Sequence, residues 1–140
     1  MRNFRIATML IVSLAVFLGL ASSATAEEKK FKIQSSELSI SAGQAGNVTF
    51  TVKPAKGFKW NKDFPAMLKL QPSGDAVGLK TTEFRGDSFK QAEKETSVSA
   101  QVEGKVAGNG TVSGELRFSV CDEESCIIAT EKVEAKVTVK

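Results

Sequence analysis

The chain has 140 residues, contains two cysteines and no histidine, and carries a formal net charge of +3. Without histidine there is no Ser-His-Asp or Cys-His catalytic arrangement, and two cysteines alone do not complete a zinc site. A near-neutral balance with both signs interspersed argues against nucleic acid, which requires a basic face.

Residues 1–26 are expected to be a secretory signal peptide. Arg2 and Arg5 precede an apolar stretch at 6–20, and Ala24-Thr25-Ala26 gives a small-x-small cleavage site. The polar run Glu27-Glu28-Lys29-Lys30 follows directly, and the apolar stretch is short for a membrane span. Cleavage after Ala26 leaves 27–140 as one exported domain, with no stable membrane insertion and large enough for a single hydrophobic core.

From there the chain alternates apolar and polar residues with period two, the mark of half-buried strands. Two short runs come first, at 31–33 and 38–40. Longer ones follow at 48–52 (Val-Thr-Phe-Thr-Val), 67–70, 98–102, 116–120 and 133–139. Turn signals stand between them at 42–46, 54–57, 72–75 and Gly108-Asn109-Gly110. Strands of this number and length predict an all-β, immunoglobulin-like antiparallel sandwich.

Two stretches interrupt the alternation. Residues 56–65 are aromatic-rich, with Phe58, the lone tryptophan Trp60, and Phe64 before Pro65. Phe58 and Trp60 read first as packing residues. Residues 82–87 place Phe84 alone among charges in a glycine-ended loop, either tucked onto the sandwich or held over something.

The last feature is the cysteine pair. Cys121 and Cys126 lie between two strand-like runs, separated by Asp122-Glu123-Glu124-Ser125. In an exported chain an even cysteine count usually signifies a bridge. Closing so small a loop gives only about 2 kcal/mol, so the pair reads either as a hairpin clip or as a redox centre that opens and closes. The neighbouring acids disfavour a thiolate, which suits a thiol that reacts only when a partner positions it. Copper(I) held by Cys121, Cys126 and Met67 is a third reading.

The order of these landmarks resembles the N-terminal periplasmic domain of the thiol:disulfide interchange protein DsbD. The matching segments are Gly57-Phe58-Lys59-Trp60-Asn61-Lys62, then Glu83-Phe84-Arg85-Gly86, then Phe118-Ser119-Val120-Cys121 through Cys126 and Thr130-Glu131-Lys132-Val133. They span about 57–139. The resemblance implies an immunoglobulin-like domain that exchanges disulfides with thioredoxin-like periplasmic partners, as a monomer and without a cofactor or metal. It implies that Cys126 forms the mixed disulfide and Cys121 resolves it. It further implies a cap loop of Glu83, Phe84, Arg85 and Gly86, with Phe84 shielding the pair and Glu83 influencing thiol ionisation. The chain has no tyrosine; Phe58 and Trp60 stand where that family places active-site tyrosines. The alternative is a non-enzymatic sandwich that binds a partner, with the disulfide as a structural clip.

Overall fold

The computed structural model describes residues 29–140, so the expected signal peptide lies outside the described residues. The domain is an immunoglobulin-like sandwich of two sheets. The first sheet contains β1 (Phe31–Ser35), β3 (Ala45–Pro54), β9 (Thr96–Gly104) and β6 (Val77–Leu79) in that spatial order, with β8 (Phe89–Lys90) also on β9. The second contains β2 (Leu38–Ile40), β11 (Cys126–Val139), β10 (Gly108–Cys121), β5 (Met67–Ser73) and β7 (Glu83–Arg85), with β4 (Lys59–Trp60) beside the end of β10. Every pairing is antiparallel except that of β2 with β11. The short strands β1 and β2 thus divide the start of the chain between the two sheets.

All seven expected runs are strands, and their alternation sets which side chains meet. Val48, Phe50 and Val52 of β3 lie beside Val98, Ala100 and Val102 of β9. Across the core, Leu68 and Leu70 of β5 adjoin Val112, Leu116, Phe118 and Val120 of β10, and Val133 to Val139 of β11 contribute every second residue. These side chains are almost wholly withdrawn from water, and each large aliphatic one stabilises the fold by about 1.5–3 kcal/mol.

Two expectations are corrected. Gly108-Asn109-Gly110 is not a turn: these residues open β10 and pair with Val139, Thr138 and Val137, and the chain reverses at 105–107. Gly110 is there for space, because a Cβ would lie 2.7 Å from a methyl of Val77 and 3.0 Å from the Ser73 carbonyl oxygen. The stretch around Phe84 is likewise not all loop. Residues 83–85 form the edge strand β7, in which Phe84 sits opposite Leu68.

Candidate functional site: the cysteine hairpin

Cys121 and Cys126 form a disulfide, with Cα atoms 4.0 Å apart. They are directly opposite each other, the last of fourteen cross-strand pairs in the β10–β11 hairpin. The close Cα separation is that of a non-hydrogen-bonded antiparallel pair, where facing side chains come nearest. The reversal beyond them is closed by its own groups. Asp122 N–H donates to the Ser125 carbonyl at 2.9 Å, and Asp122 Oδ1 accepts from the N–H groups of Glu124 (2.9 Å) and Ser125 (2.6 Å). An aspartate at the first position of a turn caps the backbone in this way. The same backbone bonds, from Ser125 and then Glu124, hold the Asp122 carboxyl below its ordinary value.

The strand period decides which way the sulfurs point. Leu116, Phe118 and Val120 face the core, so Cys121 faces outward, and the pairing turns Cys126 the same way. Cys121 is half-buried and Cys126 is exposed. The disulfide therefore lies on the outer surface of the second sheet and links no strands of the opposite sheet.

What adjoins it is β4. Lys59 is opposite Cys121, and Trp60 is opposite Val120. Trp60 is buried, stacked on Phe118 at 5.5 Å between centroids with the rings inclined by 8°, and its Nε1–H donates to Gln91 Oε1 at 3.0 Å. Phe31 meets the edge of Phe118 at 4.8 Å, an arrangement that aromatic quadrupoles favour. Beneath the outward disulfide is therefore an aromatic layer that anchors the end of β10. Phe58 is half-buried at the strand's start, with the Lys30 ammonium 5.8 Å above its ring. Of the two near-site aromatics, Trp60 is a packing residue and Phe58 a partly exposed neighbour.

The cap-loop residues are not brought to the disulfide. Phe84 pairs with Leu68, which pairs with Leu116, five residues before Cys121 along β10. At about 3.3 Å per residue that is roughly 16 Å along the strand direction alone, and Phe84 is two strands further to the side. The ring points into the core and is 7% exposed. A three-residue strand with charges at both ends has only one side chain to bury, and it is Phe84. Glu83 and Arg85 point outward and bond to each other, which lowers the Glu83 carboxyl from its ordinary value. Gly86 has a φ of +50° and begins a single 3-10 turn, Gly86–Ser88.

Cys121, Cys126 and Met67, the copper(I) donors read from the sequence, are not all brought together. The cysteines are joined to each other, and Met67 is opposite Arg117, roughly 13 Å before Cys121 along β10. Among the described residues no group of three or more His, Cys, Asp or Glu side chains converges.

The site includes residues that motif reading passes over. Ser119, on the outer face, is nonetheless buried, because the 61–66 segment covers it: Asn61 N–H donates to its carbonyl at 2.9 Å, and Asn61 Nδ2 approaches its Oγ at 3.4 Å. Its cross-strand partner Ile128 is 59% exposed beside Cys126. The Arg117 guanidinium lies 5.6 Å from the Phe64 ring centre on the same face. Counting the strand period outward from Cys121 would have found Ser119 and Ile128; Lys59 and Asn61 arrive through tertiary pairing.

No protein-family model matches the sequence, and no curated protein matches it. Several solved structures are similar to the chain at low identity. The native conformation of E. coli alpha-2-macroglobulin matches with a TM-score of 0.49 and 10% identity over 81% of this chain, which spans only 7% of the macroglobulin's length. AggA, the major subunit of aggregative adherence fimbriae type I from Escherichia coli, matches with a TM-score of 0.43 and 11% identity, over 79% of this chain and 94% of its own. A non-cellulosomal cohesin from the hyperthermophilic archaeon Archaeoglobus fulgidus gives 0.44 and 8%, over 80% and 92%. The likeness is one of fold.

Proposed function

We propose that this domain is a non-enzymatic β-sandwich binding module in which Cys121–Cys126 is a structural clip for the β10–β11 hairpin. The observation that carries the reading is the match between bridge, ladder and turn. The two cysteines close a ladder already in register to its last pair, and Asp122 satisfies the turn's backbone donors without help from the sulfurs. Nothing in that geometry requires the bond to open. Phe84 does not cap it, since that ring belongs to the core. The one cation opposite Cys121, Lys59, is 3.7 Å from Glu93 and therefore shares its charge with a carboxylate.

One observation favours a second reading, thiol–disulfide exchange with a thioredoxin-like periplasmic partner: Cys126 is exposed on an open face. Measuring the reduction potential of the pair separates the two. A structural clip is expected below about −300 mV. The Cys121→Ala variant, which leaves Cys126 as a free thiol, should then trap no mixed disulfide with an oxidised thioredoxin-like protein, whose own disulfide would be opened by the attack. A higher potential together with a trapped complex would replace the clip by a relay.

A further inference from the structure

On one side of the sandwich both sheets end in an open strand. In the first sheet β1 pairs only with β3. In the second, β11 runs from Cys126 to Val139, but β2 covers only Val137, Thr138 and Val139. Among the described residues the stretch 126–136 therefore has β10 on one side and no strand on the other.

The hydrogen-bond parity shows which backbone groups are left. The Asp122–Ser125 bond closes the hairpin, so the bonded pairs below it involve odd-numbered residues of β11. Even-numbered residues turn their N–H and C=O away from β10. Lys140 confirms the alternation, since its N–H donates to Ile40 and its carbonyl accepts from Ala42, both outside β10. The backbone groups of Ile128, Thr130, Lys132 and Glu134 thus face the open side, a template for a further strand.

Beside this edge is a groove of about 500 Å³, with Phe31, Ile33 and Pro54 as apolar lining and Lys29, Lys32 and Lys53 as cations. Among the described residues Glu131 of β11 is its one acid, and the lining lysines outnumber it. A strand added to β11 would direct every second side chain into this seam. Apolar side chains at those positions meet Phe31, Ile33 and Pro54, and the surrounding lysine cations attract a segment whose remaining side chains are carboxylates.

We infer that the β11–β1 seam docks an extended acidic, apolar-alternating segment of a partner protein, which joins the second sheet as a strand beyond β11. This names the partner class for the binding module proposed above and rests on that reading. Main-chain bonds to the four outward residues supply affinity, and the lysine-rimmed groove supplies selectivity. Glu131, an inward-pointing charge on an open edge, disfavours indiscriminate pairing with neutral strands.

The test titrates the isotope-labelled domain with a synthetic peptide of alternating valine and aspartate, following backbone amides by NMR. The expected result is saturable shifts centred on Ile128, Thr130, Lys132 and Glu134. A valine–lysine peptide of equal length should give none. Lys32→Glu combined with Lys53→Glu should weaken binding at least tenfold with an unchanged Tm. Thr130→Pro should abolish it, because that N–H points away from β10 and proline is tolerated on an open edge. If Thr130→Pro fails to fold, the double lysine variant still decides the matter. Absence of shifts, equal binding of the lysine peptide, or concentration-dependent shifts of the same amides without peptide would overturn the inference; the last would put a second copy of the chain at the edge. The reduction potential is independent of all these outcomes, so failure here and failure of the clip reading are read separately.

Discussion

Asp122 shows how one side chain can settle a local conformation. Its Oδ1 gathers the N–H groups of Glu124 and Ser125, which would otherwise be left to water at the tip of the hairpin. Asp122→Ala should speed amide exchange at both residues several-fold, whereas Asp122→Asn, which keeps an acceptor at the same place, should not. The pH dependence follows from the lowered carboxyl. A group whose folded value lies below its unfolded one stabilises fully above the unfolded value, here the ordinary 3.8, and loses that contribution as pH falls through the depressed value. Protection factors at Glu124 and Ser125, which divide out the intrinsic pH dependence of exchange, should therefore fall under acid conditions in the wild type and stay flat in Asp122→Ala. Gly114 makes the opposite kind of demand. It faces Leu70 where β10 and β5 approach so closely that a Cβ would collide with the Lys69 carbonyl. Gly114→Ala should cost about 3 kcal/mol, at the upper end of overpacking penalties, read as a lower urea midpoint with an unchanged slope.

Among the elements, the β10–β11 hairpin carries the most pairing, and its alternation was legible in advance. Leu116, Phe118 and Val120 announce one buried face, and a count of one more residue puts Cys121 on the other. That parity alone separates a surface clip from a bridge between sheets. The tertiary partners were not legible. β4 is two residues long, and no local pattern says that Lys59 will stand opposite Cys121. Phe84 sits in an alternation too short to distinguish a buried edge strand from a loop, and only the register with Leu68 resolves it. Gly108-Asn109-Gly110 has turn composition but serves strand packing, because the space a side chain would need is taken by Val77 and Ser73. The placement of the bridge limits its energetic role. Replacing both cysteines by serine should leave the fold intact and lower stability by about 2 kcal/mol, measured by denaturant unfolding under non-reducing conditions. A loss of the whole fold would mean that the ladder depends on the bond.

At the scale of the whole molecule, most of the architecture requires strands far apart in sequence to meet. β3 pairs with β9 and β5 with β10, each across a long intervening chain. The β10–β11 ladder is different: four residues separate its strands, so closing it costs little chain entropy. A sandwich dominated by distant pairings should fold in milliseconds to seconds, and the hairpin is the element most readily formed beforehand. Within it the Cys121–Cys126 bond fixes the register in the unfolded chain, before β5 or β4 arrive on the other side of β10. If the hairpin is part of the folding nucleus, removing the bond raises the barrier to folding and leaves unfolding almost untouched. A chevron comparison of the oxidised protein with the double serine variant should accordingly place the stability loss in the refolding arm. Its appearance in the unfolding arm instead would show that the hairpin docks late and that β3 with β9 organises the transition state.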